Sequence, residues 1–193
     1  MNTQRYGVIF DMDGVLIDSA APHLASWRQL AREHGVTVTE EQFHASFGRQ
    51  NRDFIPALFG ESASDRVAVL AARKETIYRD LIRSDPPSVP ATVDLVGALA
   101  ADGAALAIGS SGPRANIDLV VNAMGLQGAM SAVVSADDVT RGKPDPQVFQ
   151  LCCKRLKVPP ARCIVVEDAP AGVEAAKAAG TLAVAVLLHH PRE

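Results

Sequence analysis

A chain of 193 residues with 48% hydrophobic side chains has the apolar content for a full domain core, which excludes global disorder. Its formal charge of −3, without any Lys/Arg-rich run, excludes the basic footprint of a nucleic-acid binder. The longest apolar stretches, around Leu95–Ile108 and Thr181–Leu188, are interrupted well short of the roughly 18 residues a membrane span needs.

Residues 1–5 are polar and show no signal-peptide pattern, so a cytoplasmic location is expected. They lead into a short apolar strand, Val8–Phe10, which stops at Asp11-Met12-Asp13-Gly14. Residues 20–85 then read as helical. Leu24, Trp27, Leu30 and Ala31 mark one amphipathic helix, with Gly35 as its C-cap. Thr39-Glu40-Glu41-Gln42 fits a capping box that starts the next, and Val67–Ile82 forms a third helical stretch. The polar run Phe47-Gly48-Arg49-Gln50-Asn51-Arg52-Asp53 reads as a loop carrying two arginines. Ser84-Asp85-Pro86-Pro87-Ser88-Val89-Pro90 is a proline-dense linker.

Beyond the linker, strands and helices alternate. Ala104–Ile108 is a strand broken by Gly109-Ser110-Ser111-Gly112. Arg114–Met124 has helical spacing and stops at Gly125. Ala132–Val134 is a strand, and Pro146–Leu156 a helix. Cys163–Val166 is a strand ending in Glu167-Asp168. Ala171–Ala179 is a helix closed by Gly180, and Leu182–Leu187 is a last strand. The pattern implies an α/β fold: a Rossmann-like parallel sheet of about five strands flanked by helices, with a helical cap domain inserted after the first strand. The expected division is 1–18 with 87–193 for the core and 19–86 for the cap. Cys152, Cys153 and Cys163 are odd in number and two are adjacent, which fits reduced core thiols rather than a disulfide framework.

In open parallel sheets, ligands bind beyond the carboxyl ends of the strands. Those ends carry Asp11 and Asp13, Ser110 and Ser111, and Glu167 and Asp168. Arg141-Gly142-Lys143-Pro144-Asp145-Pro146 lies between the third strand and the helix that follows it. Clustered acids suit a hard cation such as Mg²⁺, and a lysine with hydroxyls suits phosphoryl oxygens. The set reads as phosphoryl chemistry. Residues i and i+2 of a strand face the same way, so Asp11 and Asp13 are expected to act together. One carboxylate would attack phosphorus, and the other would protonate the leaving oxygen and then deprotonate water. Gly14 allows the turn.

Four motifs in this order, namely Asp11-Met12-Asp13-Gly14-Val15, Ser110 after a strand, Lys143 in Gly-Lys-Pro-Asp-Pro, and Glu167-Asp168 after a strand, resemble the haloacid dehalogenase superfamily. The resemblance spans residues 6 to about 187 and points to its β-phosphoglucomutase and phosphoglycolate-phosphatase-like branch. It implies that Asp11 is the nucleophile and a Mg²⁺ ligand, and that Asp13 is the general acid/base and a backbone-carbonyl ligand. It further implies that Ser110, with Ser111 beside it, and Lys143 bind the phosphoryl group. Asp168 would ligate Mg²⁺, with Glu167 as ligand or close neighbour. In the cap, His23, Trp27, Arg49 or Arg52, and Lys74 resemble substrate contacts. Lys74 fits a solvated helix face equally well, and Trp27 fits a core position equally well. Asp145 shapes the loop that delivers Lys143.

The expected activity is Mg²⁺-dependent hydrolysis of a small phosphorylated metabolite such as a sugar phosphate, through an aspartyl-phosphate. A β-phosphoglucomutase-type mutase shares every core motif. Two departures favour hydrolysis: the cap arginines straddle the mutase position, and Gly112-Pro113 lengthens the segment after Ser110-Ser111. Asp13 counts against a dehalogenase. A catalytically silent binding protein on this fold has no need of the full acid set. The expected partner is the small metabolite alone, without nucleic acid or membrane, for a monomer or weak homodimer.

Overall fold

The computed structural model describes residues 6–46 and 51–188. They form two compact units: the chain up to Asp18 together with the chain from Pro86 onward, and Ser19–Asp85.

The first unit is built on five parallel strands: β1 (Gly7–Phe10), β2 (Ala105–Gly109), β3 (Met130–Val134), β4 (Cys163–Glu167) and β5 (Leu182–Ala185). Their order is β3-β2-β1-β4-β5. The chain grows outward from β1 on one side, then crosses to β4 on the other, so β1 sits at a topological switch point. Strands β1 and β2 are buried along their whole length, which is why they read as unbroken apolar runs rather than alternating ones.

Helices α7 (Gln147–Leu156) and α8 (Pro170–Ala178) cover one face. In α7 the buried residues are Val148, Phe149, Cys152, Cys153 and Leu156, a single helical stripe. They form one cluster with Ile9, Ala105, Ala107 and Val165 of the sheet and with Ala175 and Ala176 of α8. The small alanines let the helices approach the strands closely, and each large buried side chain contributes roughly 1.5–3 kcal/mol. Cys152, Cys153 and Cys163 are free thiols within this core. Burial pushes Cys153 up to about 12, so it packs as a neutral side chain.

Two further helices belong to this unit, α5 (Thr92–Ala101), which packs on β2, and α6 (Arg114–Ala123). Helix α5 is an element the sequence pattern does not reveal. Its apolar residues run around the whole circumference; Val96 is buried while Val93 and Leu95 are exposed, so no amphipathic stripe forms.

The second unit is helical: α1 (Ala20–Glu33), α2 (Glu40–Ser46), α3 (Asn51–Phe59) and α4 (Val67–Ile82), with a 3₁₀ segment at Glu61–Arg66. Gly35 follows α1 at φ +69°, a left-handed position that favours glycine. The capping box of α2 is reciprocal. Gln42 N donates to Thr39 Oγ1 at 3.1 Å, and Thr39 N donates to Gln42 Oε1 at 3.0 Å. Trp27, Leu30, Phe43, Ile55, Leu70 and Ile77 make its core. The expected loop over residues 47–53 is corrected in part: Asn51, Arg52 and Asp53 begin α3, and residues 47–50 lie outside the described residues. No described helix is long and apolar enough to cross a membrane.

Candidate active site

Strand register brings the expected groups to one edge. Phe10 pairs with both Ile108 and Val166. The residues just past those pairs, Asp11, Gly109-Ser110 and Glu167-Asp168, therefore emerge side by side at the carboxyl ends. Asp11 N donates to Val166 O at 2.9 Å, holding Asp11 against β4.

The strand ends at Phe10, which corrects the two-residue alternation expected through Asp13. From Met12 the chain coils into a tight turn, with Leu16 N and Ile17 N both donating to Met12 O. Asp11 is buried and Asp13 half-buried. Asp13 lies close enough to raise the carboxyl pKa of both Asp11 and Asp168. Gly14 stands at φ +74°, and a Cβ there would overlap the Asp168 carboxylate. The glycine therefore serves two needs, the turn and the close approach of an acid.

One ammonium lies among these acids. Lys143 Nζ donates to Asp11 Oδ1 and to Glu167 Oε1, each at 2.7 Å, and the lysine side chain is only 6% exposed. It also stands 4.9 Å over the Phe149 ring. Burial disfavours the charged lysine, but the Asp11 and Glu167 carboxylates more than offset this and hold its pKa above the ordinary value. The Lys143–Pro144 peptide is cis.

Asp11, Glu167 and Asp168 each offer an oxygen, and these oxygens lie within 4.8 Å of one another. Negative charge is therefore in surplus. Burial pushes the Asp11 carboxyl well above 3.8; Lys143 opposes this, and Glu167 and Asp13 add to it. Burial, then Glu167, raise Asp168 to about 7. Asp168 Oδ2 is buried without a hydrogen-bond partner. An oxygen-only donor set with excess negative charge and an orphaned carboxylate oxygen fits a hard divalent cation.

Glu167 is fixed on three sides. Its Oε1 accepts from Lys143, its Oε2 accepts from Ala169 N at 2.6 Å, and a Cβ on Gly172 would collide with its carboxylate. Gly172 belongs to the site's construction and lies in none of the four motifs. The signal lay in its position, just inside the helix that follows Glu167-Asp168.

Ser110 is buried, and its Oγ accepts from Gly112 N at 3.0 Å. This turn hydrogen bond uses the Ser110 oxygen as acceptor, and its hydroxyl hydrogen remains for donation. Ser111 is half-buried beside it.

In the helical unit, Lys74 is 2% exposed, which corrects the solvated-face alternative. Its Nζ lies 2.8 Å from His23 Nδ1 and donates to Glu75 Oε1 at 2.9 Å. The His23 ring stacks on Tyr78 at 4.0 Å. Trp27 occupies the helical core, edge-on to Phe54 at 4.9 Å, a packing position rather than an exposed platform. Arg49 lies outside the described residues, and Arg52 is described only as part of the α3 backbone.

A family profile described as "Hydrolase: haloacid dehalogenase-like hydrolase" matches residues 7–180. The chain belongs to this family. The hydrolase is 34% identical over 195 aligned positions to validoxylamine A 7'-phosphate phosphatase of Streptomyces hygroscopicus subsp. limoneus, covering 96% of this chain and 87% of that protein. It is 33% identical to the fructose-1-phosphate phosphatase of Escherichia coli (strain K12), covering 96% and 98% of the two chains. Among solved structures, β-phosphoglucomutase from Clostridium difficile superposes with a TM-score of 0.83 at 25% identity, over 94% of this chain and 84% of that one.

Proposed function

We propose that the protein is a phosphoric monoester hydrolase that releases inorganic phosphate from a small phosphorylated metabolite, in particular a sugar phosphate, with Mg²⁺ as its cofactor. The observation that carries this reading is the Lys143 ammonium set 2.7 Å from both Asp11 and Glu167 within a buried, acid-rich strand edge. Similarity to a fructose-1-phosphate phosphatase supports the substrate class.

In this reading an Asp11 oxygen attacks phosphorus, and the bond from phosphorus to the leaving oxygen breaks. Asp13 gives its proton to that oxygen as the alcohol departs. Asp13 then takes a proton from water, whose oxygen attacks the aspartyl-phosphate and frees Asp11 and inorganic phosphate. Lys143 and the Ser110 and Ser111 hydroxyls hold the phosphoryl oxygens as charge shifts during transfer. Asp11, Asp168, Glu167 and the Asp13 carbonyl are the groups that would hold Mg²⁺. When bound, the cation offsets repulsion between the acids and an anionic substrate.

The test is phosphate release from an aryl phosphate and a panel of sugar phosphates. Release should require Mg²⁺ and stop with EDTA. Absence of release across the panel would refute the hydrolase reading. The structural likeness to a β-phosphoglucomutase favours one rival, transfer of the phosphoryl group to a second substrate hydroxyl. Conversion of glucose 1-phosphate to glucose 6-phosphate without matching phosphate release would decide for that rival.

A further inference from the structure

The Lys143 loop is tied at its base by a side chain outside the four motifs. Gln147 is the first residue of α7, and its side chain turns back along the chain. Its Oε1 accepts from Thr140 N at 2.9 Å, Arg141 N at 3.0 Å and Thr140 Oγ1 at 3.2 Å. Asp145 closes the same loop from within. Its Oδ1 accepts from Gln147 N at 3.0 Å, its Oδ2 pairs with Arg141 Nε at 3.0 Å, and its N–H donates to Gly142 O at 3.0 Å. Lys143 lies between the two tied ends.

The anchor itself is firm. Val148 and Phe149, which follow Gln147, are buried in the core, and the Phe149 ring lies beneath Lys143 Nζ. The Gln147 backbone is therefore fixed to packed structure, and its carboxamide passes that constraint to Thr140 and Arg141. A lysine side chain has four rotatable bonds, so its ammonium is only as well placed as the backbone beneath it.

We infer that Gln147 is a positioning residue for phosphoryl transfer: its carboxamide oxygen fixes the Thr140–Arg141 backbone so that Lys143 Nζ stays between Asp11 and Glu167. The inference rests on the phosphatase reading for its kinetic consequence and on geometry alone for its structural one.

Two variants separate the oxygen from the side chain's bulk. Gln147→Leu removes the acceptor and keeps the approximate size, and Gln147→Glu keeps an acceptor oxygen. Two quantities are read: kcat and KM on an aryl phosphate with Mg²⁺, and the rate at which an amine-acylating reagent labels Lys143, followed by mass spectrometry. Gln147→Leu should lower kcat on the order of tenfold to a hundredfold, the size of effect expected when a catalytic group shifts by about an ångström. KM should change little, and Lys143 labelling should quicken. Gln147→Glu should restore both kcat and protection. If Gln147→Leu fails to unfold cooperatively, Gln147→Ser, whose side chain is too short to reach Thr140, carries the same comparison. Unchanged kcat and labelling in the acceptor-free variant would overturn the inference, as would an equal loss in Gln147→Glu. If the wild type releases no phosphate, the hydrolase reading falls, and the labelling comparison still decides the role of Gln147.

Discussion

Replacing Asp168 with asparagine should make the metal-free protein more stable while destroying its activity. Asp168 is 5% exposed, and its Oδ2 has no hydrogen-bond partner. Burial, with the Glu167 charge beside it, raises its pKa from 3.8 to about 7, against the opposing pull of Lys143. The folded state therefore holds a proton that the unfolded chain releases across this window, and stability falls as pH rises through it. At ~1.4 kcal/mol per pH unit, the interval from 3.8 to about 7 makes the ionised Asp168 cost up to about 4 kcal/mol. That cost is complete above pH 7 and is below about 2 kcal/mol at pH 5. Asp168→Asn removes the charge and keeps the shape. Urea unfolding in EDTA should show the variant more stable at pH 8 by as much as about 4 kcal/mol, a large share of the ~5–15 kcal/mol typical of a domain. The advantage should shrink at pH 5. Mg²⁺ should stabilise the wild type and leave the variant unchanged, and the variant should release no phosphate. A variant less stable than wild type at pH 8, or a difference independent of pH, would show that ionised Asp168 carries no such cost.

Asp11→Asn should abolish phosphate release while retaining a cooperative melt; unchanged turnover would remove Asp11 as nucleophile. Lys143→Ala should lose both activity and stability, because it leaves the buried Asp11 and Glu167 carboxylates without their shared cation. Breaking such a pair costs about 3–5 kcal/mol, and denaturation in EDTA at pH 8 measures it. Gly172→Ala should destabilise by roughly 1–3 kcal/mol, since its Cβ meets the Glu167 carboxylate. Turnover should fall with it, and a neutral Gly172→Ala in both assays would show that Glu167 moves freely.

The groups that meet at the candidate site are legible because each interrupts a pattern. Asp11, Ser110 and Glu167-Asp168 all end apolar runs, and a parallel sheet of that topology has its strand ends in register. Lys143 was legible for a different reason: a lysine set between glycine and proline is held on a constrained backbone. What stayed hidden depends on distance rather than on residue type. Gly172 looks like any helical glycine until the Glu167 side chain is seen to fill the space its Cβ would need. Lys74 reads as a surface lysine because helical spacing reports which face a residue is on, not what covers that face. Its burial follows from His23 and Glu75, the first 51 residues away in the chain. Helix α5 is silent in the sequence because an element with apolar residues on all sides carries no periodic signal.

Burial raises the Asp11 and Asp168 carboxyl pKa values, which makes their ionised forms a cost to the metal-free fold. A fold selected for stability alone would not bury Asp11, Glu167 and Asp168 around one ammonium. Desolvating several carboxylates costs more than a single lysine returns. Nor would it spend two glycines, Gly14 and Gly172, on making room for those carboxylates. The turn after β1 and the helix after β4 leave room for carboxylates whose charge one lysine does not balance. That imbalance has a physical rationale only if another positive group completes the site during turnover, which is why stability in EDTA and activity with Mg²⁺ should move in opposite directions when Asp168 is neutralised.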